Sequence, residues 1–292
     1  MASAARYCVV ANPTSGTFPM RRRYALLKKA AAIFDARIKG LDTNSSEEFA
    51  QCLRDQAEKC DVMVIAGGDG TFSLAINTVD LSKTTLAFLP FGTGNALSNA
   101  LGYRGGPVAV AERIHYGRVH RYDLIDCEGK RKSFMASLGI DGTAIGLYEK
   151  YRNKGYHGFR AHLFAVIRAY FNAYRPSGTW IQIDDETVRT EKIASFMVVK
   201  QPFYGMGLKV VPHARWDDHQ LHTMTLPYGF FRIATALLQG FTIGNRIGKY
   251  RTGSKAIIRL DRPLWLQIDG ELGWKSDRFF FTVLANTLRL KH

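Results

Sequence analysis

The sequence lacks the features that define several classes of protein. Its 292 residues include four cysteines, Cys8, Cys52, Cys60 and Cys127, and no two of them form a C-x-x-C pair, so a zinc site is not expected. Scattered thiols in a chain of this size are typical of a reducing cytosol. No apolar run reaches the length of a membrane span, and Met1–Val10 does not read as a signal peptide. The protein is therefore expected to be cytoplasmic, with only peripheral membrane contact.

Acidic residues are scarce. There are 25 Asp and Glu against 40 Lys and Arg, which gives a formal net charge of +15. Such a charge attracts nucleic acid, acidic lipid and polyphosphate alike. Nucleic-acid binding stays an alternative, but the sequence has no helix-turn-helix, zinc-finger or aromatic RNA-binding signature, so no nucleic-acid partner is expected.

The first part of the chain alternates between two kinds of segment. Short apolar runs such as Val62–Ile65 and Leu86–Leu89 indicate strands buried on both faces. Between them lie segments that predict helices, the second of which has Ser45 or Ser46 as its N-cap. We predict an α/β nucleotide-binding domain over residues 1–121, with a parallel sheet and helices on both faces. The predicted helices are Arg21–Phe34, Ser46–Lys59, Phe72–Val79 and Ala96–Leu101.

The pattern of predicted elements changes near Asp123, where strand-like runs begin to follow one another with short polar connections. We predict a mainly β domain over residues 122–285, an antiparallel sandwich that holds the acceptor. Two helices, Phe159–Tyr174 and Phe230–Gln239, are expected to interrupt it. The last residues, 286–292, are expected to return to the first domain.

A glycine-rich loop, Gly67–Thr71, stands between a buried strand and a helix. Glycines allow positive φ and close approach of a ligand to the backbone, and a helix N-terminus attracts phosphate. The loop is not a Walker A sequence, and Asp69 within it suits a site where Mg²⁺ or water separates the carboxylate from phosphate. A tight turn that merely needs glycine is the alternative interpretation.

Two further polar loops follow predicted strands. They are Asn12–Gly16 after the first strand and Pro90–Asn95 after Leu86–Leu89. Because the carboxyl ends of parallel strands lie at one edge of a sheet, we expect the three loops to converge there. A fourth signal is Asp269-Gly270-Glu271, where a sharp turn can direct carboxylates into a cleft, although it is also a common hairpin turn.

These motifs together resemble the diacylglycerol kinase catalytic-domain family, which includes bacterial soluble lipid kinases and sphingosine kinases. The order and spacing of Asn12–Gly16, Gly67–Thr71, Gly92–Asn95, Asp123-Leu124 and Asp269–Glu271 are similar to the family pattern. The likeness runs from Tyr7 to about Leu290 and includes Gly205–Gly207 and Pro212–Asp218.

The resemblance implies an ATP-dependent lipid kinase that uses Mg²⁺. Catalytic Mg²⁺ would be organised through water by Asp69, Asp123 and Glu271, with Glu271 as proton acceptor and Asp269 beside it. A second, structural cation would be bound by Asp218 and the carbonyls of Arg215 and Gln220. The residues implied at the ATP site are Asn12, Pro13, Thr14, Ser15, Gly16, Thr43, Gly67, Gly68, Asp69, Gly70, Thr71, Phe72, Ser73, Leu74, Gly92, Thr93 and Asn95.

The chain departs from the family pattern at two places. Many bacterial members have Asp after the Asn that ends the loop Pro90–Asn95, whereas this chain has Asn95-Ala96-Leu97, as in sphingosine and ceramide kinases. The usual Asp-Asp-Gly is Asp217-Asp218-His219 here, and a residue other than glycine at that turn predicts backbone strain.

The segment Tyr151–Arg175 is basic and contains no acidic residue. Its apolar residues recur at helical spacing, as in a helix that lies on an anionic membrane surface. We therefore expect peripheral association with the inner face of the membrane; the alternative is a helix whose apolar stripe packs on the β domain. The apolar residues are Tyr156, Phe159, Leu163, Val166, Tyr170 and Tyr174, and the basic ones are Arg152, Lys154, Arg160, Arg168 and Arg175, with His157 and His162.

Other functions remain open at this stage. An NAD kinase would share the ATP loops but need a different acceptor pocket, and a lipid-binding protein without catalysis would not need Asp69, Asp269 and Glu271. Diacylglycerol, phosphatidylglycerol, ceramide and sphingoid bases are all open as the lipid substrate, and the oligomeric state is open as well.

Overall fold

The computed structural model describes residues 5–16, 19–92, 94–152, 154–156 and 158–292. Its description of side chains excludes residues 158–160, 162 and 206.

The chain divides into two compact units. The first comprises Met1–Leu124, Phe203–Gly207 and Ala285–His292, and the second comprises Ile125–Pro202 and Leu208–Leu284. These are the observed boundaries, while the roles assigned to the two predicted domains stay predictions.

The first unit contains a parallel sheet. Strand β3 lies between β1 and β4, and β2 pairs with the other side of β1. The order β4-β3-β1-β2 is extended at the β4 edge, where Leu290 near the end of β16 pairs with Leu86. The elements are β1 (Tyr7–Ala11), α1 (Met20–Ile33), β2 (Ile38–Lys39), α2 (Ser46–Ala57), β3 (Val62–Gly67), α3 (Asp69–Thr78), β4 (Thr85–Pro90), α4 (Ala96–Ala100), α5 (Pro107–Tyr116) and the start of β5 (Val119–Cys127).

Helices cover the parallel sheet as the alternation of segments predicts. Val9, Val64 and Leu89 point from three neighbouring strands into one cluster with Leu27 of α1 and Val110 of α5. Strand β3 is buried along its whole length, as an all-apolar strand between two helical layers must be. The predicted α/β architecture is confirmed.

The helix boundaries differ from the sequence predictions in informative ways. The Ser45 side chain accepts the N–H of Glu48 at 3.1 Å, so α2 begins with the predicted N-cap. Helix α3 begins at Asp69 rather than Phe72, because Gly68 serves as its N-cap. No sequence pattern predicted α5, although Pro107 at its first turn is a typical start.

The second unit is mainly antiparallel β structure. One group of strands runs β14-β13-β10-β7-β15, and another joins β9 and β8 to the first half of β15, which also pairs with β16. Leu138 and Phe196 of the first group pack in one core with Ile181 and Phe279 of the second, which gives the sandwich-like layering that was predicted. The strands of this unit, some of which extend beyond it, are β6 (Arg131–Ser133), β7 (Met135–Gly139), β8 (Thr179–Ile183), β9 (Glu186–Thr190), β10 (Ile193–Val199), β12 (Leu208–Lys209), β13 (Leu221–Pro227), β14 (Lys249–Gly253), β15 (Lys255–Ile268) and β16 (Glu271–Lys291); β11 (Phe203–Tyr204) belongs to the first unit.

Three helices accompany these strands. Helices α7 (Gly158–Arg168), followed by a π-helical turn at Ala169–Ala173, and α8 (Phe230–Phe241) match the two predicted helices. Helix α6 (Ile140–Arg152) was not predicted. Its glycines weaken the helical pattern, yet Gly142 is required because a Cβ there would collide with the carbonyl of Trp265.

Two observations bear on the features that the sequence lacks. No helix within the described ranges is long and apolar enough to cross a bilayer. Cys8 and Cys60, which are scattered in sequence, adjoin each other with Cα atoms 5.8 Å apart, a separation that permits a disulfide, whereas Cys52 and Cys127 are free. The spacing of the cysteines in sequence did not predict that these two would adjoin.

Candidate functional site

Three polar loops meet at the carboxyl ends of β1, β3 and β4. Asn12 donates from its side-chain amide to Thr71 Oγ1 at 3.0 Å, and Ser15 Oγ lies 3.0 Å from the same oxygen. The N–H groups of Phe91 and Gly92 both donate to the carbonyl of Gly67, at 2.8 and 3.2 Å. The predicted convergence of the three loops is observed, and Thr71 is the residue that links the first loop to the second.

Two glycines bring the second and third loops into backbone contact. A Cβ placed on Gly68 would lie 3.2 Å from Cα of Gly92, and one on Gly92 would lie closer still to Cα of Gly68. Gly16 of the first loop has φ +90°, and a Cβ there would collide with the carbonyl of Phe91. The glycines are therefore needed for packing between the loops, in addition to any ligand approach.

Asp69 ties the second loop to the helix that follows the third. Its Oδ2 accepts the N–H of Ala96 at 2.9 Å and its Oδ1 accepts the N–H of Leu97 at 3.0 Å, at the start of α4. Burial raises the pKa of the Asp69 carboxyl, and the N–H groups of Leu97 and Ala96 oppose this rise. The sequence indicated a metal-related role for Asp69, but not this capping role.

The third loop ends in a left-handed residue. Asn95 has φ +43° and donates from its side-chain amide to the carbonyl of Gly92 at 2.7 Å, which closes the loop before α4 begins. Gly94 is near Gly205, since a Cβ on Gly94 would lie 3.7 Å from Gly205 Cα. Thr93, which was predicted at the ATP site, lies outside the described residues.

Arg23, which the sequence did not single out, binds the backbone of the first loop. Arg23 is buried in α1 and its guanidinium donates to the carbonyls of Ser15, at 2.5 Å, and Pro13. Thr14 donates its N–H to Asn12 Oδ1 at 2.9 Å, so the loop is also closed on itself. In the run Arg21-Arg22-Arg23, the only sequence signal for a buried arginine is that Arg23 lies on the same side of α1 as the buried Leu27.

The remaining predicted ATP residues fall into two groups. Thr43 lies in the turn after β2, beside β1, and donates its hydroxyl to the Gly40 carbonyl at 2.7 Å. Phe72 and Ser73 are fully buried in α3, and the Phe72 ring meets Phe88 edge-on, with centroids 5.4 Å apart. Their side chains support the loop from the core rather than line an open surface. Gly70 and Leu74, in the same helix, are half-buried.

Asp123 is fully buried in β5, within the first unit. Its Oδ1 accepts the N–H of Asn286 at 2.8 Å, in the segment that returns to this unit. Asn286 itself has φ +53°, so Asp123 fixes a turn in the returning strand.

The acidic turn between β15 and β16 belongs to the second unit. Asp269, with φ +49°, accepts the N–H groups of Phe134 and Met135 at 3.1 and 3.0 Å. Glu271 is half-exposed and pairs with Arg131 at 2.6 Å. Asp269 therefore shapes the turn, while Glu271 carries an accessible carboxylate held by a cation. Arg131 was missed because it lies 140 positions from Glu271 in the sequence.

The predicted structural cation site has a different occupant. The fully buried Lys200 donates to Asp218 Oδ1 at 2.8 Å and to the carbonyl of Gln220. Burial acts to raise the pKa of Asp218, but the hydrogen bond and charge of Lys200, with His222, outweigh it and lower the pKa. Two of the three implied ligands thus bind an ammonium group in this structure, and the structural cation at these residues stays a prediction. His219 has φ +60°, which agrees with the strain predicted at that turn.

Comparison with known proteins accounts for the pattern of loops. A family model of the diacylglycerol kinase catalytic domain matches residues 6–127, which include all three loops and Asp123. The resemblance to the diacylglycerol kinase catalytic-domain family is therefore confirmed over this part of the chain. A protein named diacylglycerol kinase from Bacillus subtilis is 24% identical over 277 residues, covering 91% of this chain and 89% of that protein. Relatives of this kind support a lipid kinase of the diacylglycerol kinase superfamily.

Solved structures share the fold. A diacylglycerol kinase from Bacillus anthracis str. Sterne superposes with a TM-score of 0.74 at 16% identity, covering 100% of this chain and 98% of that one. An NAD kinase from Archaeoglobus fulgidus, solved in complex with ATP, has a TM-score of 0.52 at 11% identity and covers 98% and 93%. The fold is thus that of diacylglycerol kinases, and it is shared more distantly with an NAD kinase.

Proposed function

We propose that this protein transfers the γ-phosphate of Mg-ATP to a hydroxyl group of a membrane lipid. The observation that carries the proposal is the interlocked set of three loops at the carboxyl ends of β1, β3 and β4, centred on Thr71. Such an edge is where parallel α/β sheets bind nucleotides. Gly70 and Thr71 lie in the first turn of α3, so their N–H groups have no hydrogen-bond acceptor within the helix. Such N–H groups are suited to bind phosphate oxygens.

Bound Mg²⁺ would supply neutralisation of phosphate charge. Within the described ranges, no group of three or more His, Cys, Asp and Glu side chains is arranged to hold a metal ion. A carboxylate can accept about four hydrogen bonds, whereas the Asp69 oxygens accept one backbone N–H each from α4, so both have capacity for metal-bound water. This donor set fits a Mg²⁺ that arrives with the nucleotide and keeps most of its water, with Asp69 and Asp123 as the residues of this unit that would hold it.

Glu271 is proposed to orient the lipid hydroxyl and accept its proton. The new bond joins the acceptor oxygen to the γ-phosphorus, the bond from that phosphorus to the bridging oxygen of ADP breaks, and the hydroxyl proton passes to Glu271. The 2.6 Å pair with Arg131 would keep the Glu271 carboxylate in place, and Asp269 would hold the turn that carries it.

The lipid is proposed to come from an anionic bilayer surface, contacted from the cytoplasmic side. Helix α7 packs on the β core through Val166, and Tyr174 of the segment that follows also belongs to that core, in line with the alternative interpretation. Phe164 and Ile167 of α7 are nevertheless exposed. In α8, Phe231 is 82% exposed, although its ring meets Phe230 edge-on with centroids 5.6 Å apart.

The two exposed segments adjoin and carry charge of one sign. Phe171 and Phe230 have ring centroids 6.1 Å apart, which joins the end of α7 to the start of α8. No Asp or Glu occurs in residues 150–183 or 219–260, while each stretch contains six Lys and Arg. Exposed aromatic side chains among basic residues complement an anionic lipid surface, and each basic residue near it contributes about 1 kcal/mol. We call these exposed residues of α7, the π-helical turn and α8 the apolar surface: Phe164, Ile167, Phe171, Phe230, Phe231 and Leu238.

The proposal is tested with labelled ATP and a panel of acceptors. Diacylglycerol, phosphatidylglycerol, ceramide and sphingosine are presented in mixed micelles, NAD is included as a soluble acceptor, and products are separated by chromatography. We expect label in one or more lipids, and no label with any acceptor for Glu271→Gln. Transfer to NAD alone would favour an NAD kinase, and salt-sensitive DNA binding without any transfer would reject a kinase altogether.

A further inference from the structure

Lys200 is a buried cation at the end of β10. Its side chain has no exposed area, and its Nζ donates to Asp218 Oδ1 at 2.8 Å and to the carbonyl of Gln220. Lysine is almost never fully buried unless it is paired, so the position is specific to this ammonium group. Its backbone N–H also donates to the Phe134 carbonyl at 2.8 Å, which fixes the direction of the side chain.

The third oxygen of the implied cation site is also engaged. His222 Nε2 lies 3.1 Å from the Arg215 carbonyl oxygen and 3.0 Å from Asp218 Oδ2. On its other side, His222 Nδ1 lies 2.8 Å from the Tyr250 hydroxyl, so the ring is held in place. Every oxygen in the implied ligand set thus has a partner from within the second unit.

The chemistry of these oxygens explains why the two kinds of cation exclude each other. A carboxylate and two backbone carbonyls form a set that suits Mg²⁺ or Ca²⁺. An ammonium group offers three N–H donors to the same kind of set. Because Nζ is within hydrogen-bond distance of Asp218 and Gln220, a divalent ion on those oxygens would meet a positive charge at close range.

We propose that Lys200 takes the place of the structural cation that the family resemblance implies, so that the second unit of this protein folds without a divalent ion at Asp218. The turn Arg215–Gln220 is held by a charge that is covalently part of the chain. A chelator can remove a bound ion but not this group. The inference is independent of the lipid-kinase proposal, since it concerns the stability of the unit and not transfer.

The test compares thermal unfolding in EDTA with unfolding in millimolar CaCl₂ or MgCl₂, without nucleotide. For the wild-type protein we expect the same Tm in all three conditions. Lys200→Ala leaves Asp218 without its charged partner and opens space beside it, so Tm in EDTA should fall by about 10 °C. Either divalent ion at about 100 times its dissociation constant should then raise Tm by roughly 5 °C.

Lys200→Met is the matched control. It removes the same charge but fills most of the same space with an apolar chain, so its Tm should fall without recovery in divalent ions. A wild-type Tm that rises in CaCl₂ or falls in EDTA, or a Lys200→Ala variant that folds and does not respond to either ion, would overturn the proposal.

A second measurement covers the case in which the variants fail to fold. Wild-type protein purified without chelator and without nucleotide is analysed for metal by mass spectrometry. Substoichiometric calcium and magnesium are expected, and one bound divalent ion per chain that survives gel filtration would contradict the inference.

Discussion

Leu97 donates its backbone N–H to Asp69 Oδ1 at 3.0 Å, and Ala96 donates to the other oxygen. Asp69 belongs to the loop after β3, yet its side chain accepts the first N–H groups of α4, the helix that follows the loop after β4. The carboxylate is a structural link before it is a candidate for catalysis, and this affects how its mutants should be interpreted.

Asp69→Ala should lower stability as well as activity. Two N–H groups in the first turn of α4 would lose their acceptor, at a loss of about 2 kcal/mol in the free energy of unfolding. Thermal unfolding without nucleotide measures this separately from turnover. Glu112→Ala, which changes an exposed acid on α5, is the control and should leave Tm within error of wild type. An Asp69→Ala protein that is inactive yet as stable as wild type would restrict the residue to catalysis.

Gly92→Ala should disrupt the contact between the second and third loops. The new Cβ would overlap with Gly68 Cα and lie 3.0 Å from Asn95 Oδ1, so the loops must separate. We expect a loss of about 1–3 kcal/mol, as for overpacked interiors, together with loss of ATP binding. Gly106→Ala is the control, because a Cβ at Gly106 meets nothing within 4 Å. Equal stability of the two variants would contradict the packing argument.

The two acids of the β15–β16 turn should behave differently on mutation. Asp269→Ala removes the acceptor of the Phe134 and Met135 N–H groups and places alanine at φ +49°, so stability should fall by about 2 kcal/mol. Glu271→Gln keeps the shape of a half-exposed side chain and should retain wild-type stability while transfer is lost. Urea unfolding combined with the labelled-ATP assay separates the two effects. A stable, inactive Asp269→Ala protein would instead give Asp269 a direct role in the chemistry.

The sequence predicted the elements whose signal is local. Val62–Ile65 is a buried strand because it is uniformly apolar, and Ser45 caps α2 because its hydroxyl reaches an N–H three residues ahead. The loops after β1, β3 and β4 could be placed together because parallel strands end at one edge.

Features that depend on contacts between distant residues could not be predicted. The pair of Arg131 and Glu271 joins residues 140 positions apart, and Lys200 reaches Asp218, which lies 18 positions further along the chain. Helix α6 was missed because Gly142, which its packing on Trp265 requires, weakens the helical pattern. In each case a tertiary contact selected a residue that local pattern alone does not favour.

The apolar surface should determine binding to vesicles. Phe231→Glu places a carboxylate on an 82% exposed position of α8, so it should reduce sedimentation with vesicles that contain phosphatidylglycerol by about tenfold. Tyr116→Glu is the matched control, since Tyr116 is 83% exposed but belongs to the first unit. Wild-type protein should bind less to neutral phosphatidylcholine vesicles and less at high salt. An equal loss of vesicle binding in both variants would show that only net charge matters, and would contradict a role for the apolar surface.

The last prediction concerns acid sensitivity and His292. Its Nε2 lies 2.7 Å from the Tyr122 hydroxyl, and burial, followed by the charges of His120 and Arg113, lowers its pKa from 6.5 to about 4. A base whose pKa is lowered in the folded state stabilises the fold above its unfolded pKa, and this contribution is lost as the pH falls from 6.5 towards 4. His292→Gln cannot take up the proton, so its Tm should fall less than that of wild type over this interval. Parallel curves for the two proteins would show that other groups govern the acid transition.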